Sequence, residues 1–123
     1  MNLIDSSAWI AYFESRPAAS SIEKYMEKPG AVLIPSLVIY EVYRKLHQKL
    51  SAKEALFFIS QMEDGNIVVS LDSDLSLRAA EISLEFKLGM ADAIIYSTAL
   101  AHKAKLITLD NDFRNLPDCL VIK

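Results

Sequence analysis

Two apolar stretches of this sequence each stop at an aspartate. NLID ends on Asp5, and KLITLD ends on Asp110, with Asp112 two residues further on. Two more acids, Glu41 and Asp92, lie on segments whose apolar spacing predicts helices. Mg²⁺ and Mn²⁺ take carboxylate oxygens as ligands, and such a cation acidifies a bound water and neutralises a phosphoryl oxygen. Together the acids predict a metal-assisted site suited to phosphodiester hydrolysis.

Each of these acids, taken alone, also has an ordinary structural explanation. Asp5 suits a helix cap, and Asp92 suits the first turn of a helix, where the helix dipole favours an acid. Glu41 suits a partly exposed helix position, and Asp110 and Asp112 suit a turn because aspartate bonds to its own backbone. The chemical interpretation therefore depends on the acids meeting in space.

The histidines and the cysteine do not form a pattern typical of zinc sites. His47 and His102 lie on predicted helices, and neither is close in sequence to Cys119. A single cysteine excludes an internal disulfide, which is compatible with a reducing compartment.

Length and composition favour one globular domain over residues 1–123, with 52% apolar residues and a net charge of −3. This charge is not that of a protein that holds nucleic acid by bulk attraction, although bound cations reverse the sign of an acidic site. Met1 lies next to the first predicted strand, so we expect no signal peptide, and no apolar run approaches the length of a membrane span. We therefore expect a soluble, cytoplasmic protein.

Strand-like and helix-like segments alternate along the chain. Strands are predicted at 2–5, 31–34, 66–71, 105–110 and 119–123. Helices are predicted at 8–15, 17–28, 36–49, 51–63, 72–88 and 90–103. The alternation predicts an α/β fold with a mainly parallel sheet.

Several residues are typical of helix boundaries and turns. Ser6 or Ser7 is the predicted cap of the first helix, and Ser51 with Glu54 matches a capping box. A turn is predicted at 29–30. Functional groups of open α/β sheets collect beyond the carboxyl ends of the strands, which is where Asp5 and Asp110 are expected.

Four stretches of the chain resemble the PIN-domain family, and within it the VapC-type toxin ribonucleases. They are LIDSSAWIAYF, SLVIYEVYRKL, MADAIIYSTALAHKAKLITLDNDF and LPDCLVIK. The resemblance implies a three-layer α/β/α fold with a central, mainly parallel sheet of about five strands. It also implies an endoribonuclease dependent on Mg²⁺ or Mn²⁺, acting on RNA as a homodimer that a small antitoxin protein inhibits.

Carried over by position, the resemblance makes Asp5, Glu41 and Asp92 the three main metal-binding and catalytic acids. Asp110 is the fourth, ahead of Asp112, which is an alternative or a residue that shapes the loop. Ser6 and Thr108 are implied as hydroxyl groups that orient these acids or a water. The candidate RNA-binding cations are Arg16, Arg44, Lys45 and Arg114.

Other classes of protein also place acids at strand ends. Phosphatases with such a site need a second aspartate where this chain has Ser7, and AVLIPS offers no acceptor residue for a receiver domain. A non-catalytic module that only binds a partner is a third alternative, which the intact acids argue against. Within the family, a nuclease that processes RNA or DNA without a toxin role is the remaining alternative.

Overall fold

Five short parallel strands form the centre of the molecule. The structure is a computed structural model, and it describes residues 1–28 and 30–123. The strands are β1 (Asn2–Ile4), β2 (Val32–Pro35), β3 (Ile67–Val69), β4 (Lys105–Thr108) and β5 (Cys119–Val121). Their order across the sheet is β3-β2-β1-β4-β5, and every neighbouring pair runs parallel.

Six helices connect these strands. They are α1 (Ser6–Phe13), α2 (Ala19–Glu23), α3 (Ser36–Lys49), α4 (Ala52–Glu63), α5 (Ser73–Phe86) and α6 (Met90–Ala101), followed after β4 by a 3₁₀ turn, Asn111–Phe113. Because crossovers between parallel strands are right-handed, the strand order puts α1 to α4 on one face of the sheet and α5 and α6 on the other, and the helices within each group contact one another. The predicted three-layer α/β/α fold with a parallel sheet is therefore confirmed.

The strand order reverses between β1 and β4. From β1 the chain proceeds outward to β2 and β3, and it then returns to the other side of β1 to form β4 and β5. The crevice beyond the carboxyl ends of β1 and β4 is the place where ligands bind in open sheets of this kind. In register, Ile4 lies opposite Ile107, and the Asp5 N–H extends this ladder by donating to the Ile107 carbonyl at 2.9 Å.

The core is made by the central strands and the helix faces that cover them. Leu3, Ile4, Leu106 and Ile107 are fully buried, and α3 contributes Val38, which is fully buried as well. Among the helices of the described residues, none combines the length and the apolar character that crossing a bilayer requires.

Some predicted boundaries are wrong. The helix predicted over 17–28 is only the five-residue α2, because its N-cap, Ala18, offers no side-chain oxygen and only Ile22 is buried within it. The strand predicted over 66–71 is only β3, an edge strand in which Ile67 and Val68 are exposed. The predicted turn at Pro29 lies outside the described residues. Its neighbour Gly30 has a φ of +72°, a left-handed conformation that suits glycine.

Candidate active site

Asp5 is a buried carboxylate whose two oxygens are held from three directions. It is 4% exposed. Its Oδ1 accepts from the Ser6 N–H at 2.7 Å, and its Oδ2 accepts from Thr108 Oγ1 at 2.7 Å and from Ser7 Oγ at 3.1 Å. Burial raises the pKa of Asp5, while these three hydrogen bonds act in the opposite direction.

Asp5 is also the N-cap of α1, so the predicted cap at Ser6 or Ser7 is wrong. All three residues of the Asp-Ser-Ser run are capable caps, and local sequence does not separate them. The decisive contact is tertiary, because the β1 ladder continues through the Asp5 N–H to Ile107 and the helix begins only after it.

The loop after β4 carries two more acids toward Asp5. The Asp110 N–H donates to Thr108 Oγ1 at 3.0 Å, and the Asp112 N–H donates to Asp110 Oδ1 at 2.9 Å, so Asp110 caps the 3₁₀ turn. Phe113 is fully buried and anchors this turn in the core. Strand β4 ends at Thr108 rather than at Asp110 as predicted, because these bonds turn the chain.

Asp92 lies in the first turn of α6, as its sequence position predicts. One carboxylate oxygen each from Asp92, Asp110 and Asp112 lie within 4.8 Å of one another. Burial raises the pKa of Asp92 to about 6, and the charges of Asp110, Asp5, Asp112 and Glu41 add to the shift in that order. All four of the other acids are therefore close enough to act electrostatically on Asp92.

Glu41 completes the group from α3. Burial raises its pKa, hydrogen bonding with the Ser6 side chain lowers it, and the Asp5 charge raises it again. Within the described part of the chain, its buried Oε1 has no hydrogen-bond partner. We call Asp5, Glu41, Asp92, Asp110 and Asp112 the acidic site.

The donors of the acidic site fit a hard divalent cation. Every candidate ligand is a carboxylate oxygen, the set that Mg²⁺ and Mn²⁺ prefer. The buried Glu41 Oε1 lacks the partner that a buried oxygen ordinarily has. Crowded carboxylates with raised pKa values gain from a nearby cation. The histidines lie elsewhere, His47 against the Tyr43 ring and His102 with its Nδ1 3.0 Å from the Thr98 carbonyl oxygen.

The predicted RNA-binding cations are placed unequally. Arg44 and Lys45 are exposed on α3 within one turn of Glu41, and Arg114 is exposed at the end of the 3₁₀ turn. Arg16 lies beyond the far end of α1, about 12 Å of helix away from Asp5, and pairs with Glu14 at 2.5 Å. Three of the four cations therefore lie on or next to elements that carry acids of the site.

Sequence reasoning missed the role of Ser7 and the extent of a groove between helices α1, α2 and α4. The groove has a volume of about 780 Å³. Its apolar lining consists of Trp9, Tyr12, Phe13, Met26, Phe57 and Phe58, and its acidic lining of Glu23, Glu27 and Asp64. We call it the aromatic groove. The aromatic residues of α1 are visible in the sequence, but their meeting with α4 depends on the fold.

Comparison with known proteins gives one family match. The profile described as PIN domain matches residues 3–118. A search of curated protein sequences gave no significant match.

Three solved structures share the fold over nearly the whole chain. A toxin–antitoxin complex from Klebsiella pneumoniae is 24% identical with a TM-score of 0.82, over 98% of this chain and 97% of that one. VapBC2 from Rickettsia felis, bound to a DNA fragment from its promoter, is 15% identical with a TM-score of 0.75, over 98% and 96%. Mycobacterium tuberculosis VapC20, described as a toxin that cleaves the sarcin–ricin loop, is 15% identical with a TM-score of 0.75, over 96% of each chain.

Proposed function

We propose, from the premise that this chain belongs to the PIN domain family, that it is a cytoplasmic endoribonuclease dependent on a divalent cation and the toxin of a toxin–antitoxin pair. The observation that carries the proposal is the grouping of Asp92, Asp110 and Asp112 within 4.8 Å, with Asp5 and Glu41 close enough for their charges to raise the pKa of Asp92. The similarity to the Klebsiella and VapC20 structures supports the toxin role.

Asp5, Glu41, Asp92 and Asp110 would hold Mg²⁺ or Mn²⁺, with Asp112 in support. When bound, the cation supplies an acidified water and neutralises charge on the scissile phosphate. Glu41 Oε1 is buried without a partner in the described structure, so this oxygen would be free to accept a proton if such a water were bound. The hydroxyl of Thr108 orients Asp5 by a direct hydrogen bond.

The RNA backbone would approach across exposed positive charges. Arg44 and Lys45 are exposed on the helix of Glu41, and Arg114 is exposed two residues after Asp112, so these cations would contact phosphates of the bound RNA. Arg16 would serve only a longer RNA that follows α1.

The aromatic groove is the surface that we assign to an antitoxin. Phe57 is 59% exposed there, and the Trp9 side chain is 3% exposed with its Nε1 donor unpaired within the described residues. The apolar lining favours a peptide segment over RNA, and the acidic lining favours a segment that carries basic residues.

A homodimer is the assembly that we propose for the free protein. Leu77 and Leu84 are 70% and 79% exposed, and they lie two helical turns apart on α5, on the same face. Exposed leucines in a row are typical of an association surface. Sedimentation at micromolar concentration should show a dimer that Leu84→Lys dissociates, and an unchanged dimer in this variant would move the interface elsewhere.

Cleavage of a labelled single-stranded RNA tests the proposed activity. We expect cleavage in Mn²⁺ or Mg²⁺, no cleavage in EDTA, and inhibition by the protein encoded in the neighbouring gene. Cleavage of duplex DNA at an equal or higher rate would favour a processing nuclease instead. Equal RNA cleavage in EDTA would contradict the proposed dependence on a divalent cation.

A further inference from the structure

Two hydroxyl groups converge on one oxygen of Asp5. Thr108 Oγ1 donates to Asp5 Oδ2 at 2.7 Å, and Ser7 Oγ donates to the same oxygen at 3.1 Å. The two hydroxyl oxygens are 3.3 Å apart. Because each hydroxyl has one proton and gives it to Asp5, each oxygen keeps its lone pairs for another donor.

Both hydroxyls use that capacity on the loop after β4. The Leu109 N–H donates to Ser7 Oγ at 3.1 Å, and the Asp110 N–H donates to Thr108 Oγ1 at 3.0 Å. The Thr108 bond is local, since donor and acceptor are two residues apart. The Ser7 bond instead joins the first turn of α1 to a loop 102 residues away in the chain.

We propose that Ser7 is a positioning residue that fastens the loop carrying Asp110 and Asp112 to Asp5. Its hydroxyl fixes the Asp5 carboxylate through Oδ2, and the same oxygen holds the Leu109 N–H, one residue before Asp110. The position of Asp110 and Asp112 beside Asp92 is thereby set from α1. This inference rests on the proposed cation site, and Ser7 itself is not a catalytic residue.

The variant Ser7→Ala removes the hydroxyl with little change in volume. In the metal-free protein, hydrogen exchange at the Leu109 amide should accelerate about tenfold, because this amide loses its acceptor. The Kd for Mn²⁺, measured by titration with electron paramagnetic resonance, should rise about tenfold, the usual effect of removing a group that orients a ligand. In RNA cleavage kcat should fall, while KM for RNA should stay unchanged.

Thr98→Val is the matched control for the loss of a buried hydroxyl. Thr98 Oγ1 donates to the Ile94 carbonyl at 2.8 Å within α6, away from Asp5. This variant should lower the thermal midpoint without changing the Kd for Mn²⁺. Ser7→Thr restores a hydroxyl and should bring that Kd back to within about twofold of wild type. If Ser7→Ala does not fold, the same exchange and Mn²⁺-binding measurements can be made on Ser7→Cys, because a thiol is a weaker donor and acceptor than a hydroxyl.

Two results would overturn the role of Ser7. One is a Leu109 amide that exchanges in Ser7→Ala as slowly as in wild type, and the other is an unchanged Kd for Mn²⁺. If wild type binds no Mn²⁺, the proposed cation site fails instead, and the exchange measurement on metal-free protein still decides whether Ser7 holds the loop.

Discussion

The acidic site and the aromatic groove share helix α1 but are built in opposite ways. Asp5 caps the beginning of this helix, and Phe13 ends it inside the groove. At the acidic site, charged groups are withdrawn from water and repel one another. In the groove, the Phe57 ring is left exposed, while the Trp9 ring is buried and its Nε1 donor has no partner within the described structure.

The contrast shows what each region lacks. The acidic site needs positive charge, because burial and repulsion between carboxylates raise the pKa values of Asp5, Glu41 and Asp92. The groove instead needs an apolar surface to cover its exposed rings, which a protein segment supplies and a metal ion does not. Mutations at the acidic site should therefore impair RNA cleavage, and mutations in the groove should impair binding of the partner protein.

The largest effect expected is the loss of RNA cleavage in Asp92→Asn. The amide keeps the shape but loses the charge that holds the cation, which contributes several kcal/mol to the transition state. Activity should fall by about two to three orders of magnitude at saturating Mn²⁺. Asp74→Asn is the matched control, since Asp74 lies in the first turn of α5 and is exposed. A loss of less than tenfold in Asp92→Asn would mean that this acid does not hold the cation.

An intermediate effect is expected at the groove. Phe57→Ala removes an exposed ring, so the thermal midpoint should hardly change, while affinity for the neighbouring gene's product should fall about tenfold. Tyr40→Ala is the matched control because Tyr40 is 61% exposed, against 59% for Phe57, and lies outside the groove. Equal binding losses in the two variants, measured by calorimetry, would contradict the assignment of the groove to the partner.

The smallest effect expected is a pH-dependent gain of stability in Asp92→Asn. The pKa of Asp92 in the folded protein is about 6, above its ordinary value of 3.8, so the folded state binds this proton more tightly than the unfolded state. The carboxyl therefore costs no stability below pH 3.8 and becomes destabilising as the pH rises through about 6.

In EDTA the Asn variant should therefore be as stable as wild type near pH 4. At pH 7 its free energy of unfolding should be about 1 kcal/mol higher than that of wild type, a value reduced for solvent screening because Asp92 is only half-buried. Thermal melts at the two pH values measure this difference. A variant that melts lower than wild type at pH 7 would indicate that Asp92 serves as a structural helix-start acid.

The sequence predicted the acidic site, which lies at the ends of two strands, better than it predicted the aromatic groove. Asp5 and Asp110 follow apolar runs, and parallel strands bring such ends to one edge, so their meeting was foreseeable. Asp92 also lies in the first turn of a helix, as predicted, and the Thr108 hydroxyl donates to Asp5, as the resemblance implied. What local spacing could not supply is the direction of the Asp112 carboxylate, which depends on the 3₁₀ turn held by the buried Phe113.

The features that the sequence did not predict depend on contacts between segments that are distant in the chain. Ser7 looks like a helix cap in the sequence, and its acceptor role toward Leu109 exists only because β4 lies beside β1. The aromatic groove likewise needs Trp9 of α1 and Phe57 of α4, which lie far apart in the chain. Periodicity identifies each helix but not which helices meet.

Binding of Mn²⁺ to the wild-type protein at neutral pH tests the central claim most directly, because it requires neither a known RNA target nor a partner. Electron paramagnetic resonance titration should show saturable Mn²⁺ binding that Mg²⁺ competes away, that Asp92→Asn weakens severely and that Asp74→Asn leaves unchanged. Absence of saturable binding in wild type, or equal affinity in wild type and Asp92→Asn, would contradict the assignment of the acidic site to a divalent cation.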